Sequence, residues 1–285
     1  MSAPHRNDPC PCGSGKKYEE CCQKWYESAT SKYFSAPRLV DKKRVVQEVY
    51  KDILPAENPD DKAFVDIFQG VSPYTLTSRS GADTLYGLFN IIKYLVHNKI
   101  PGDIVECGVW RGGSMMMAAL ALKYFDDTRR QIYMYDTYAG MTEPDDIDVD
   151  FDGRAMKPIW ANAERDGIAI GYGGSLEDVK ANLRQTGYPE SQMHFIAGDV
   201  METIPAILPK SIALLRLDTD WYKSTLHELQ HLYGLLVPNG VLIIDDYGWC
   251  RGARQATDEF FHNQPFTPLM HRVNETVRVL MKPGI

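Results

Sequence analysis

The chain has 285 residues, 44% hydrophobic and 24% charged, with a formal net charge of −7, enough for one α/β domain of ordinary size plus an appendage. An acidic chain without Lys/Arg runs gains little from phosphate counterion release, which argues against nucleic acid as a main partner, and no apolar run is long enough to span a bilayer. The polar start MSAPHRNDP has no apolar stretch before a cleavage site, so the expectation is a cytoplasmic protein with reduced cysteines.

Four of the six cysteines fall in RNDPCPCGSGKKYEECC. Cys10 and Cys12 form a C-x-C pair, and the adjacent Cys21 and Cys22 follow the GSGKK turn, which folds the chain back. Four thiolates at this density suit a tetrahedral, structural Zn2+ whose binding supplies the segment's folding energy. The segment 6–25 resembles the SEC-C motif, the zinc-binding tail first recognised on the SecA translocation ATPase. That resemblance implies zinc and a protein partner, not catalysis, because a closed four-ligand site has no open position.

The stretch 28–59 (LVDKKRVVQEVYKDIL at its centre) repeats apolar residues at helical spacing and reads as a helical connector or cap. A helix follows over 81–98, then the Pro101-Gly102 turn and the strand DIVECGV. Next come a Gly-rich turn with the helix GGSMMMAALALKYF, the strand QIYMYD, and a long polar loop, 138–174. The helix SLEDVKANLRQ, the strand MHFIAGD, METIPAIL, the strand SIALLRLD and the helix STLHELQHLYGLL follow. The turn VPNG precedes the strand VLIIDD, then come the helix RGARQATDEFF and the strands FTPLMHR and ETVRVLMK. Strands alternating with helices predict a mostly parallel sheet covered on both faces, and the short VNE turn predicts an antiparallel hairpin at its end. Loop 138–174 follows a strand's C-terminal end, where open α/β sheets bind ligands, so it is a candidate lid. Its Asp148, Asp150 and Asp152 look like the start of a calcium loop but lack the closing Glu, and read as a solvated acidic stretch. Met115, Met116 and Met117 are expected to pack on the sheet.

The first strand ends in VECGVWRGGS. Glycines at 108, 112 and 113 let backbone approach a ligand, but the spacing is not G-x-G-x-x-G and Glu106 precedes the first glycine. An acid there suits a cationic cofactor carrying a sulfonium and an α-amino group better than a dinucleotide pyrophosphate. Asp136, at the next strand's end, is placed to accept from ribose hydroxyls. Asp218 and Asp220 end one strand and Asp245 and Asp246 the next. Carboxylates converging at one sheet edge repel unless a cation intervenes, and hard oxygen donors suit Mg2+.

The pieces SPYTLTS, KIPGDIVECGVWRGGSMMMAA, YDTYAGM, LLRLDTDWYKST and IIDDYG, in this order from about residue 71 onward, resemble the TylF-type (macrocin O-methyltransferase) family. The resemblance implies a Rossmann-like class I methyltransferase at 71–285, with a seven-stranded sheet ending in an antiparallel hairpin, behind a zinc motif at 1–26 and a connector at 27–70. It implies S-adenosylmethionine bound near Thr77, Ser78, Glu106, Gly108, Gly112, Ser114, Asp136, Asp199 and Val200. It further implies Mg2+ on Asp218, Asp245 and Asp246, a hydroxyl of a sugar on a glycosylated natural product or on a nucleotide-linked sugar as acceptor, and a homo-oligomer. Asp218 is taken as base as well as ligand, with Asp220 competing.

Three rival readings fit the residues less well. His227-Glu228-Leu229-Gln230-His231 spells the H-E-x-x-H of zinc proteases, but lies on a helix between parallel strands, with its histidines expected beside a buried stripe of Leu226, Leu229, Tyr233 and Leu236. A recruitment protein that has lost methyltransferase activity conflicts with the retained acids. A nicotinamide oxidoreductase lacks its fingerprint turn.

Overall fold

Segments such as DIVEC and IALLRL are apolar on both faces, the pattern of strands with helices above and below, and they form the centre of the sheet. The computed structural model describes residues 58–75, 79–167 and 169–284, with the isolated positions 7 and 17. The four cysteines of the N-terminal motif, together with Thr77 and Ser78, lie outside the described residues.

Seven strands, β1 (Asp103–Cys107), β2 (Ile132–Asp136), β3 (Met193–Ala197), β4 (Ile212–Leu217), β5 (Leu236–Ile244), β6 (His271–Arg272) and β7 (Arg278–Met281), build one sheet in the order β3-β2-β1-β4-β5-β7-β6. Strands β1 to β5 run parallel, and β7 is antiparallel to both β5 and β6. The chain order reverses between β1 and β4, so the switch point, where open α/β sheets take ligands, lies at their C-terminal ends.

Helices α1 (Pro59–Val71), α2 (Arg79–His97), α3 (Gly113–Tyr124), α4 (Met156–Arg165), α5 (Leu176–Arg184), α6 (Val200–Ala206), α7 (Tyr222–Leu232) and α8 (Arg251–His262) complete the fold. Alternate strand residues feed two cores. Ile104, Met134, Leu214 and Ile243 join α1, α2, α3 and α5 on one face. Val105, Leu215, Leu242 and Ile244 join α6, α7 and α8 on the other. Helix α3 is buried nearly all round, Met115, Met116 and Met117 included, as expected of a helix apolar on every side. Phe64 and Phe68 of α1 share the first core, so the end of the connector is packed against the main domain.

The structure revises three expectations. VPNG is not a turn before β5 but part of it: Leu236 pairs with Ile212, and the register then shifts before Leu214 pairs with Val241. That irregularity accommodates Pro238, with Asn239 at φ +63°, as bulges accommodate residues a regular ladder would refuse. The strand expected over FTPLMHR shrinks to the two residues of edge strand β6; short edges limit unwanted pairing. Segment 138–174 is not all loop, because it contains α4 and a bridge between Val149 and Ala155.

Candidate functional site

Strand β1 runs into a turn that only glycine fits. Gly108 has φ +83°, and a Cβ there would land on the carbonyl of Asp218, next to it at the end of β4. Gly112 has φ +87° and stands at the N-cap of α3. Asp136 at the end of β2 holds this turn: its Oδ2 accepts from Val109 N (2.6 Å) and Trp110 N (2.9 Å), and its Oδ1 from Tyr138 N (2.7 Å). Asp136 is thus already a backbone anchor, with only its remaining lone pairs for ribose hydroxyls. Asp199 follows β3 and caps α6 by accepting from Met201 N at 2.9 Å, while Val200 is buried in the second core. Ser114 lies in the first turn of α3. Glu106, Gly108, Gly112, Ser114, Asp136 and Asp199 therefore collect at one sheet edge.

The parallel register sets Glu106 of β1 directly beside Arg216 of β4. Arg216 is buried and holds three carboxylates: Glu106 at 2.7 Å, Asp218 at 2.5 Å and Asp245 at 2.6 Å. Burial lowers the proton affinity of the guanidinium, but Asp218, Asp245 and Glu106 more than offset that and raise it well above its ordinary value. Glu106 is 1% exposed, and its Oε2 is buried without a partner. Burial raises its carboxyl to about 8 despite Arg216. An orphaned carboxylate oxygen beside a glycine turn fits a cationic ligand group such as an ammonium.

Asp218, Asp220 and Asp246 form a second group, with one carboxylate oxygen of each within 4.8 Å of the others. Burial and mutual repulsion push Asp218 and Asp246 well above the usual carboxylate range, and Asp220, chiefly through burial, to about 7. Three acids resisting ionisation in one place are a donor set for a hard divalent cation. Asp220 adopts φ +66°, unusual for a residue with a side chain and of the kind that collects at functional sites. The structure thus brings together two of the three expected metal ligands, Asp218 and Asp246. It adds Asp220 to them and turns Asp245 toward Arg216.

Segment 138–174 docks on this edge through buried acids. Asp148 and Asp150, expected to be solvated, are each 1% exposed. Asp148 accepts from Tyr222 N (2.8 Å) and Asp145 N (2.8 Å), thereby capping α7, whose N-cap residue Trp221 offers no side-chain cap. Asp150 takes Arg154 at 2.6 Å. Trp221 Nε1 donates to the Thr142 carbonyl at 3.0 Å.

On α7 the two histidines each meet a backbone carbonyl. His227 Nε2 meets the Ile204 carbonyl at 2.7 Å, His231 Nδ1 meets the His227 carbonyl at 2.8 Å, and their rings lie 4.1 Å apart. Glu228 between them is fully buried, and its Oε1 accepts from Thr219 Oγ1 at 2.9 Å. The glutamate supports the Asp218-Thr219-Asp220 turn from behind. Arg216 and Glu228 are the residues that sequence reasoning missed. The only signal for Arg216 was a lone charge inside the apolar run IALLRL.

A profile of the macrocin-O-methyltransferase (TylF) family matches residues 31–281, and a profile of the SEC-C motif matches residues 6–24. The 8-demethyl-8-(2,3-dimethoxy-alpha-L-rhamnosyl)-tetracenomycin-C 4'-O-methyltransferase of Streptomyces olivaceus is 35% identical over 61% of this chain and 67% of its own. The mycinamicin III 3''-O-methyltransferase of Micromonospora griseorubida is 32% identical over 63% of this chain and 68% of its own. Among solved structures, the O-methyltransferase NovP superposes with a TM-score of 0.64 over 85% of this chain and 96% of its own, at 24% identity, a likeness of fold.

Proposed function

This chain belongs to the macrocin-O-methyltransferase (TylF) family of S-adenosylmethionine-dependent O-methyltransferases, and on that premise we propose that it methylates a sugar hydroxyl, free-standing or on a larger molecule, with help from a divalent cation. The observation that carries the reading is the pair of acidic sites on either side of Arg216: Glu106 with its unpartnered Oε2, and the Asp218, Asp220 and Asp246 group.

In this reading Glu106 receives the ammonium of S-adenosylmethionine, Asp136 accepts from its ribose, and the turn at Gly108 and Gly112 brings backbone N–H groups close. Asp218, Asp220 and Asp246 hold the cation, with Asp245 at its margin. A bound Mg2+ would act as a Lewis acid on the acceptor's hydroxyl and orient it. The proton of that hydroxyl is assigned to Asp220. Asp218, the sequence-based choice, already carries the Arg216 guanidinium at 2.5 Å, and a carboxylate shared with two cations is a poor base. Among the described residues Asp220 has no such guanidinium partner. Arg216 fixes Asp218 and Asp245 while leaving Glu106 one oxygen for the cofactor. The lid, tied by Asp148 to α7, excludes water and sets the acceptor's approach. The N-terminal motif is read as a Zn2+ site on Cys10, Cys12, Cys21 and Cys22 that serves a protein partner.

The test is thermal unfolding with S-adenosylhomocysteine, with and without MgCl2, and with NAD as control. A ligand at 100 times its Kd stabilises by about 2.7 kcal/mol. The expected rise with S-adenosylhomocysteine disappears in Asp136→Ala, and the added Mg2+ effect disappears in Asp246→Asn. No response to S-adenosylhomocysteine would sink the reading.

A further inference from the structure

Helix α7 carries a histidine pair that belongs neither to the cofactor turn nor to the acid cluster. Residues four apart on a helix share a face. His227 and His231, both half-buried, bring their ring centroids to 4.1 Å with the planes at 41°. Glu228, one position on, is fully buried and holds Thr219 at 2.9 Å. The segment therefore lacks the accessible glutamate that a zinc protease uses as base, and the histidine pair stands alone on its side of the helix.

The backbone fixes both rings. His227 Nε2 faces the Ile204 carbonyl at 2.7 Å, and His231 Nδ1 faces the His227 carbonyl at 2.8 Å. A carbonyl oxygen only accepts, so these two ring nitrogens carry hydrogen. In the uncharged imidazole the other nitrogen keeps its lone pair. That leaves His227 Nδ1 and His231 Nε2 as free donors to a cation, without a hydrogen-bond partner among the described residues. Metal-ligating histidines adopt this arrangement, with one nitrogen on the metal and the other N–H on a backbone carbonyl that sets the tautomer and raises ligand basicity. Two nitrogens each about 2.0–2.1 Å from one cation stand roughly 3–3.5 Å from each other. Rings 4.1 Å apart reach that spacing with a small rotation.

We propose that His227 and His231 form a binding site for a transition-metal cation of the Cu2+, Ni2+ and Zn2+ class. Imidazole nitrogen suits these ions, whereas the hard carboxylate oxygens of Asp218, Asp220 and Asp246 suit Mg2+, so the two sites take different metals. Among the described residues no third imidazole, thiol or carboxylate joins the pair, and water completes the coordination. The cation staples one turn of α7. That helix carries Glu228 behind the Asp218–Asp220 turn, and His227 ties it to α6 through Ile204, so occupancy stiffens the support of the acid cluster from outside it.

The experiment uses the full-length chain, saturated with Zn2+ to occupy thiolates, desalted, and kept in MgCl2 to fill the acid cluster. Cu2+ binding is followed by electron paramagnetic resonance and Ni2+ binding by calorimetry. One Cu2+ is expected, with hyperfine splitting from two nitrogens and an affinity at least tenfold above that for Ni2+. His227→Gln and His231→Gln should each weaken binding at least tenfold and abolish the two-nitrogen pattern, whereas Asp246→Asn binds as the parent does. Ni2+ should raise the melting temperature of the parent and of neither histidine variant, and melting without added metal shows that the variants are folded. Binding indifferent to both histidines, or lost in Asp246→Asn, overturns the proposal. So does a parent spectrum without nitrogen splitting, an outcome that needs no variant to fold.

Discussion

Replacing Arg216 by Met tests the electrostatic centre of the site. The substitution keeps an unbranched chain in the buried slot and removes the guanidinium that meets Glu106, Asp218 and Asp245 at 2.7, 2.5 and 2.6 Å. Breaking a buried ion pair from one side costs about 3–5 kcal/mol, because the partners stay buried and uncompensated. At roughly 2–4 °C per kcal/mol for a domain of this size, the melting temperature should fall by roughly 6–20 °C at pH 8. The pH dependence gives a second handle. Glu106 sits at about 8 in the folded protein even with Arg216 present, above the ordinary value of 4.5 that it has unfolded. A carboxyl raised on folding stabilises the fold below its unfolded value, and that stability is lost as pH rises through the folded value. Without the guanidinium Glu106 and Asp218, both already raised, lean further that way, so the penalty of Arg216→Met should be large at pH 8 and small at pH 5. Arg216→Lys should fall between, since one ammonium cannot span three carboxylates. Urea unfolding followed by circular dichroism, in magnesium-free buffer at both pH values, measures this. A loss under 1 kcal/mol at pH 8, or an equal loss at both pH values, would refute the argument.

Other tests probe the surroundings. Gly108→Ala should destabilise by roughly 1–2 kcal/mol from its positive φ alone, and by more from the clash with the Asp218 carbonyl; the stabilisation by S-adenosylhomocysteine should vanish with it, read by thermal unfolding. Glu228→Gln keeps an acceptor for Thr219 and should leave kcat within a few-fold, whereas Glu228→Ala frees the Asp218–Asp220 turn and should lower kcat with little change in KM; equal effects would show that Glu228 only fills space. In the parent, stabilisation by MgCl2 should grow between pH 5.5 and pH 8, because a cation must displace protons from Asp220, at about 7, and from Asp218 and Asp246, which lie higher than usual; a pH-independent effect would place the metal elsewhere.

The sequence alone determined the order of elements and the edge of the sheet that carries chemistry. Both are written locally: apolar runs with turn residues between them mark strands, 3.6-residue periodicity marks helices, and acids at strand ends share an edge once the strands are parallel. The turn at Gly108 was legible for the same reason, since a positive φ is a property of one residue. The capping of α5 was equally local: Ser175 Oγ accepts from Asp178 N at 3.2 Å, and Asp178 accepts from Ser175 N at 2.9 Å. Tertiary structure decided how the acids are divided. Which carboxylates meet Arg216 and which meet one another follows from the β1–β4 register and the backbone bend at Asp220, and no spacing along the chain encodes either. Segment 138–174 belongs to the same class. Asp148 and Asp150 read as solvated because their sequence is polar, yet both are buried, because the uncapped end of α7 and the side chain of Arg154 give them partners that lie elsewhere in the chain or form only after it folds.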